Sequence, residues 1–317
     1  MRNRLLTLTI AGSLGLFAPA FAGWEEGIAA FKAGNYAQAA KEFEATVSDK
    51  PDWPTGHMML GRAQLKLGKN QQAIASLRRA YDLSPGETSI QLALAQGYLE
   101  ANMAGDAAKL LGQANLASYS KEQQTAHQKL YAMALDKSGQ GDRAAQELAK
   151  AAAANPNDAN LQFQYGAAAL NAGNTPAAVA ALEKAARLDP RDANKAKVYV
   201  QALIRSARES GGAAKDQAYT KAAEAARAMV AANPSFDNLL LQGETQLGAG
   251  QYDAAVATFG QASAKNANDW LPLYYAGQAH TAKGSYAPAI DALQKAAGKA
   301  TKGEERTRVY KQLGFVY

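Results

Sequence analysis

The fold is decided by residues 60–85, which read LGRAQLKLGKNQQAIASLRRAYDLSP. Apolar residues recur at helical spacing around Leu65 and again around Leu77, so two helices are predicted. Gly68 separates them at a point where a residue without Cβ permits a tight turn. Pro85 closes the stretch, because its ring cannot continue a helix. The stretch therefore predicts a hairpin of two helices with a defined end.

The same markers recur along the chain at one constant spacing. Pro51 and Pro85 are 34 residues apart, and so are Pro156 and Pro190. The glycine turns keep this interval: Gly34-Asn35-Tyr36 with Gly68-Lys69-Asn70, and Gly250-Gln251-Tyr252 with Gly284-Ser285-Tyr286. A series at intervals of twelve has the same register: Gly27, Ala39 and Pro51; Gly61, Ala73 and Pro85; Gly166, Ala178 and Pro190; Gly243 and Ala255; Gly277 and Ala289. Three markers in one register predict a tandem array of helical hairpins.

The small residues of the series have a predicted structural role. Gly61 and Ala73 are expected where the two helices of a hairpin cross closely, because larger side chains would push the axes apart. The array has two irregularities. The third unit, at about residues 86–116, lacks the closing proline. The sixth is ten residues longer than the period, and its extra length is predicted at residues 206–221 with Gly211-Gly212 as the loop.

These residues resemble the tetratricopeptide repeat (TPR) family. The motif of Leu-Gly, Ala-x3-aromatic or Leu, and a closing Pro is matched by Leu60-Gly61, Ala73-x3-Leu77 and Pro85; Tyr165-Gly166, Ala178-x3-Leu182 and Pro190; Ala39-x3-Phe43 and Pro51; Ala255-x3-Phe259; and Ala289-x3-Leu293. The resemblance covers essentially all of residues 23–317. It implies an all-α, right-handed superhelical solenoid of antiparallel helix pairs, with about eight hairpins at 23–302. Residues 303–317 are predicted to form a capping helix or the start of a truncated ninth repeat.

A secretory signal peptide is predicted at residues 1–22. Arg2 and Arg4 give a basic start, an uncharged apolar run follows, and Ala20 and Ala22 form the A-x-A end that a signal peptidase reads. An uncleaved membrane anchor is the alternative, and it is disfavoured because glycine and proline interrupt the apolar run. The protein is therefore expected to be exported, with the periplasm of a Gram-negative cell as the expected compartment.

The composition narrows the classes of partner. The net charge of +6 becomes +4 when Arg2 and Arg4 leave with the signal peptide, and the basic residues are scattered rather than clustered. Nucleic acid is therefore not an expected partner, and no apolar stretch after the signal peptide predicts an integral membrane segment. The chain has no cysteine, which excludes disulfides and thiolate metal sites.

Two sequence patterns suggest catalysis, and both have a structural explanation. Ser118 and Lys121 have the S-x-x-K spacing of acyl-enzyme nucleophiles, and Lys137-Ser138-Gly139 resembles the associated K-T-G element. The first pattern overlaps a predicted helix N-cap formed by Ser120 with Gln123, and the second falls on a hairpin turn. A cell-wall-acting hydrolase is therefore the least favoured interpretation, and the chain is predicted not to be an enzyme.

The histidines do not indicate a metal site. His57, His127 and His280 lie in different repeats and have no ligand-type neighbour at helical spacing, so each is predicted to be a packing or surface residue. No cofactor is expected.

The remaining chemistry is recognition of other proteins or peptides. In a solenoid of helix pairs the first helices line the concave groove. The predicted groove residues are Trp24, Phe31, Met58, Arg62, Leu65, Lys66, Gln96, Leu99, Lys129, Phe163, Leu170, Lys197, Gln201, Arg205, Tyr274 and Gln278. A carboxylate clamp of the kind that some TPR domains use is not supported, because the positions at which that clamp needs asparagine are occupied by Arg62, Gln96, Ala167 and Gln278.

Two functions follow from these expectations. The first is a non-catalytic interaction scaffold in the cell envelope that serves envelope assembly, secretion or polysaccharide export, as a member of an envelope complex. The second is the periplasmic TPR portion of a larger outer-membrane export machine. Coding sequence beyond Tyr317 with further repeats and then alternating strand patterns would favour the second.

Overall fold

The computed structural model describes residues 23–317, so the predicted signal peptide lies outside the described residues. Within them the secondary structure is helical. The helices are α1 Trp24–Lys32, α2 Tyr36–Asp49, α3 Pro54–Lys66, α4 Asn70–Leu83, α5 Thr88–Glu100, α6 Ala104–Gly112, a 3-10 turn Leu116–Ser118, α7 Lys121–Lys137, α8 Gly141–Ala154, α9 Ala159–Asn171, α10 Thr175–Leu188, α11 Ala193–Glu209, α12 Gly212–Ala232, α13 Phe236–Gly248, α14 Tyr252–Lys265, α15 Leu271–Ala282, α16 Tyr286–Lys299 and α17 Gly303–Val316.

The chain divides into two compact units, of which the first ends at Ala154 and the second spans Asn155–Tyr317. The first unit contains the four hairpins α1–α8, and the second contains the four hairpins α9–α16 followed by α17. Within each unit the second helix of a hairpin packs on its own first helix and on the first helix of the next hairpin. The predicted all-α class with tandem helix pairs is confirmed in both units.

The turns explain why the 34-residue period continues through a hairpin that lacks the turn glycine. Gly34 and Gly68 have φ of 79° and 71°, in the left-handed region that favours glycine. At the same place in the third hairpin stands Asn102, with φ of 60°. Asparagine tolerates this conformation better than most residues with a side chain. A hairpin without the glycine marker therefore still makes the same turn.

The predicted close crossings are confirmed. A Cβ built on Gly61 would lie 2.5 Å from Cγ of Leu77, and one on Gly166 would lie 2.5 Å from Cγ of Leu182. In the seventh hairpin a Cβ on Gly243 would meet the Phe259 ring at 2.4 Å. The motif residues Phe43, Leu77, Leu182, Phe259 and Leu293 are each fully buried. The glycine thus makes room for the large side chain that fills the hairpin core.

In the long sixth hairpin, the prediction of an extended loop at residues 206–221 was wrong. Only Ser210 and Gly211 separate α11 from α12, and Gly212 already belongs to the second helix. The two helices have 17 and 21 residues, so the extra residues lengthen the helices. The added length is packed against the next hairpin. Tyr219 of α12 lies so close to Gly248 of α13 that a Cβ added to Gly248 would be 2.3 Å from Cδ1 of Tyr219.

The third hairpin has no closing proline, and a helix N-cap starts the fourth hairpin instead. Ser120 accepts the backbone N–H of Gln123, and the Gln123 side chain accepts the Ser120 N–H. This is the predicted capping box, which satisfies backbone donors at the start of α7. The Ser118 hydroxyl donates to the Asn115 carbonyl 3.1 Å away. These serines therefore have local structural roles.

His127 of α7 is a buried packing residue, as predicted. Its Nε2 lies 2.9 Å from the carbonyl oxygen of Leu111 near the end of α6. The rings of Tyr119 and Tyr131 lie 5.7 Å from the imidazole, and Nδ1 has no hydrogen bond among the described residues. Burial lowers the pKa of His127 below its usual 6.5, although the Leu111 carbonyl and the Glu147 charge act in the opposite direction. The folded chain therefore favours neutral His127 as a donor to α6.

The substitution Gly166→Ala is expected to lower stability. The added methyl group would overlap the fully buried Leu182, and overpacking of this kind costs about 1–3 kcal/mol. Thermal melts followed by circular dichroism measure the effect as a lower Tm. The matched control is Gly260→Ala in α14, where the new Cβ meets nothing within 4 Å. That control is expected to raise Tm, because alanine is the better helix former. Equal shifts for the two variants would contradict the close-crossing account.

His127 is expected to make stability depend on pH. Below pH 6.5 the unfolded chain takes up a proton at His127, whereas the folded chain keeps the imidazole neutral because its pKa is lowered. The free energy of unfolding therefore falls with pH until the pH reaches the pKa of the folded state. His127→Gln is therefore expected to flatten the fall in Tm between pH 7 and acid. His57→Gln serves as the control, because His57 is only partly buried while its Nε2 also contacts a backbone carbonyl, that of Pro51, at 2.8 Å. An unchanged slope in His127→Gln would refute the assignment.

Candidate functional site

In each unit the first helices of successive hairpins contact one another. In the first unit α3, α5 and α7 do so, and in the second unit α9, α11, α13, α15 and α17 do so. We call the exposed side of these helices the first-helix surface. It is the surface on which the sequence places the groove residues, and each unit has its own.

Five of the predicted groove residues are buried in packing contacts. Trp24, Met58, Leu65, Leu99 and Tyr274 are each at most 9% exposed. Trp24, for example, packs at 4.4 Å on the ring of Trp53 and at 5.5 Å on that of Phe43. Large apolar residues on a first helix are drawn into the contacts with neighbouring helices. These five therefore support the fold and offer no binding surface.

The other predicted residues remain accessible. Partly buried are Phe31, Arg62, Lys66, Gln96, Lys129, Phe163, Leu170, Lys197 and Gln278, and exposed are Gln201 and Arg205. Some already have partners within the chain. Lys197 lies 3.8 Å from the Asp237 carboxylate, and Arg205 bonds to Glu209 at 2.7 Å and to the Leu170 carbonyl at 2.8 Å. The remaining residues stay predicted contacts.

The second unit contains a pocket of about 500 Å³ on its first-helix surface. Helices α13, α15, α16 and α17 form it, and its lining is Leu247, Gln278, Thr281, Ala282, Tyr286, Gln312 and Phe315. Tyr286 is 58% exposed and Phe315 is 78% exposed. Two aromatic side chains thus stand in solvent beside one concavity, the arrangement expected of a recognition site rather than of a core.

Contacts of Tyr274 and of the lining residues hold the pocket in place. The Gln278 amide donates to the Tyr274 hydroxyl at 2.9 Å, and the Thr281 hydroxyl donates to the Gly277 carbonyl at 2.8 Å. The Arg308 guanidinium of α17 lies 5.0 Å from the centre of the Tyr274 ring. Its hydrogen bond to Tyr274 raises the pKa of Arg308. Tyr274 therefore connects α15 to α17 beneath the pocket.

Of the predicted groove residues, only Gln278 lines this pocket. The prediction missed Leu247, Thr281 and Phe315, although the sequence contains a signal for them. These three are spaced by 34 residues, so they occupy one position of the repeat, and Gln278 and Gln312 share another. Extending the period into α17 would have found them. Tyr286 has the same kind of signal in a second helix, because Tyr252 stands 34 residues before it and each begins its helix after a glycine turn.

Neither a metal site nor a membrane span is evident in the described part of the chain. Across residues 23–317 no cluster of three or more histidine, cysteine or acidic residues has the arrangement needed to hold a metal ion. In the same range no helix combines the length and apolar character needed to cross a bilayer.

The repeat pattern matches one known family. The model of the family described as "Tetratricopeptide repeat" matches residues 25–88, 131–193 and 240–304, which together make up more than half of the chain. No curated protein matches the chain.

Solved structures with similar folds include three bacterial helical-repeat proteins. The C-terminal part of a TPR repeat-containing protein from Cytophaga hutchinsonii is 16% identical, with a TM-score of 0.52 over 90% of this chain and 98% of that one. Residues 41 to the end of MamA from Desulfovibrio magneticus RS-1 are 19% identical, with a TM-score of 0.46 over 56% and 94%. A thermophilic TPR protein of Thermus thermophilus is 19% identical, with a TM-score of 0.42 over 60% and 98%. At 16% identity the likeness to the Cytophaga hutchinsonii protein concerns the fold alone.

Proposed function

This chain belongs to the tetratricopeptide repeat family, and we propose that it is an exported, non-catalytic scaffold that binds a protein segment at the pocket of its second unit. TPR repeats support a role in protein–protein interaction. The observation that carries the proposal is the pocket lined by Tyr286 and Phe315, both exposed beside a concavity of about 500 Å³. We infer that an apolar side chain of the partner enters between the two aromatic rings.

The lining favours a peptide over a small polar ligand. Leu247 and Ala282 add apolar surface, while Gln278 and Gln312 add amide groups and no net charge. The amide groups can pair with backbone N–H and C=O groups, which every peptide carries. Rigid aromatic anchors surrounded by near-neutral contacts are the usual composition of a binding hot spot.

The compartment is part of the proposal. The basic start, apolar run and A-x-A end of residues 1–22 support export, and helix α1 begins at Trp24, directly after the expected new N-terminus. We propose the periplasm as the site of action, where the scaffold serves envelope assembly, secretion or polysaccharide export.

Crosslinking in intact cells tests the pocket. A photoreactive phenylalanine analogue at position 315 or 286 is expected to capture a partner protein. The matched control is position 310, because Tyr310 is 59% exposed on the same helix as Phe315 but does not line the pocket. Equal capture from position 310, or no capture from positions 315 and 286, would contradict the assignment of the pocket as the binding site.

Affinity for the captured partner provides the quantitative test. Phe315→Ala is expected to weaken binding at least tenfold, about 1.4 kcal/mol, which is typical of an aromatic anchor. Its Tm should stay unchanged, because the ring is mostly in solvent. Tyr310→Ala should leave both affinity and Tm as in the wild type. A loss of affinity in Tyr310→Ala of the same size would show that the surface, and not the pocket, matters.

Export is tested by N-terminal sequencing of the protein from cell fractions. The expected result is a periplasmic form that begins at Gly23. Ala22→Glu should block cleavage, because signal peptidase requires a small residue there. A full-length protein in the cytoplasm of wild-type cells would overturn this part of the proposal.

A further inference from the structure

Arg62 is the exception among the arginines of residues 23–317. Every other arginine in this range is exposed, whereas Arg62, on the first-helix surface of the first unit, is partly buried. Burial lowers the pKa of the Arg62 guanidinium below its usual value. A guanidinium removed from water needs compensation, because desolvation of a charge costs several kcal/mol if no partner replaces the water.

The fold gives Arg62 an aromatic neighbour and no anion. Its Cζ lies 5.7 Å from the centre of the Phe31 ring, and Phe31 is held at 5.3 Å edge-on to Tyr36. Within residues 23–317 no hydrogen bond or ion pair involves the Arg62 side chain. The cation–π contact occupies one face of the guanidinium and leaves its N–H groups without an acceptor from the protein.

The two arginines of α4, the second helix of the same hairpin, do have polar partners. Arg78 donates to the Tyr98 hydroxyl at 2.9 Å, and Arg79 pairs with Asp52 at 2.7 Å. The more exposed cations thus have partners, although they need them less. The contrast shows that acceptors are available in this unit but are not placed at Arg62.

A second cation lies on the same face of α3. Lys66 is one helical turn after Arg62 and also has no ion pair among residues 23–317. Like charges at this spacing repel each other. The one acidic residue of the neighbouring helix α5, Glu100, accepts a hydrogen bond from Gln96 at 2.9 Å. The face of α3 therefore has a concentrated positive charge that the described chain does not neutralise.

We propose that Arg62 binds the side-chain carboxylate of a glutamate or aspartate in a protein segment that lies on the first-helix surface of the first unit. The guanidinium fork matches a carboxylate in a bidentate geometry, Phe31 supports its position, and Lys66 adds attraction at longer range. The subsite goes beyond the proposed pocket, because it belongs to the other unit and selects charge rather than apolar shape.

Binding of a defined acidic peptide tests the proposal on the full mature chain. The probe is a fluorescein-labelled, C-amidated peptide rich in glutamate, and its twin has glutamine in place of each glutamate. Fluorescence anisotropy is expected to show binding of the acidic probe only. Arg62→Gln should weaken it roughly tenfold or more, as for the loss of a charge-assisted hydrogen bond, and Arg62→Lys should weaken it less. Arg79→Gln is the matched control with the same change in charge, and it should alter affinity less than twofold.

Stability separates a binding role from a structural one. Arg62→Met keeps the packing against Phe31 and removes the uncompensated charge, so it is expected to raise Tm while it abolishes binding of the acidic probe. A fall in Tm would show that the cation–π contact is structural and would overturn the proposal. Binding of the glutamine twin, unchanged binding by Arg62→Gln, or equal loss in Arg79→Gln would do so too.

The two proposals fail independently. Crosslinking at position 315 reports on the pocket alone, and the acidic probe reports on Arg62 alone. A labelled single-stranded oligonucleotide provides the remaining arm of the test. Its binding to the wild type, with loss in Arg62→Gln, would identify a phosphate ligand and overturn the carboxylate assignment.

Discussion

The close approach of two helices at a glycine is the contact on which the rest of this structure depends. Where Gly166 faces Leu182, or Gly277 faces Leu293, the missing Cβ lets a large side chain occupy the centre of the hairpin. The energy comes from burial of that side chain, and the geometry comes from the helix spacing. Each hairpin then presents its second helix to the next first helix in the same way. The glycine contact recurs in the first, second, fifth, seventh and eighth hairpins and so contributes to both units.

This construction separates residues that support the fold from residues that can bind. The second helices pack on first helices, so many of their apolar residues, such as Leu77 and Phe259, are fully buried. One side of the first helices remains outside these contacts, and even there several large apolar residues, such as Tyr274, are buried. The surface that remains is chemically uneven. Exposed aromatics mark it around Phe315, and an uncompensated cation marks it at Arg62.

The two marked places differ in the physical property that they select. The pocket beside Tyr286 and Phe315 has amide groups and apolar surface, so shape and burial decide what fits. The Arg62 subsite gains from charge neutralisation, which strengthens as water is excluded. A protein segment can meet either requirement, because its side chains can be apolar, as the pocket requires, or acidic, as Arg62 requires.

The hairpins, their turns and their crossings could be read from the sequence, because each depends on local residues in a fixed register. Gly68 marks a turn and Gly61 a crossing whatever the rest of the chain does, and Ser120 with Gln123 forms its cap within four residues. Much less of the candidate site could be predicted. Nothing in the repeat pattern indicates that Trp24 is buried against Trp53, or that ten extra residues lengthen α11 and α12 rather than a loop.

By itself, then, the sequence determined the family, the period and the glycine turns and close crossings that it marks, since these follow from local conformational preference and spacing. Only the tertiary structure decided which first-helix residues reach solvent, because burial depends on neighbouring helices that the repeat pattern does not rank. It also showed that, among residues 23–317, Arg62 has no anionic partner while Arg79 has one. Pairing between charges depends on distances across helices, and those distances exist only after the hairpins have packed.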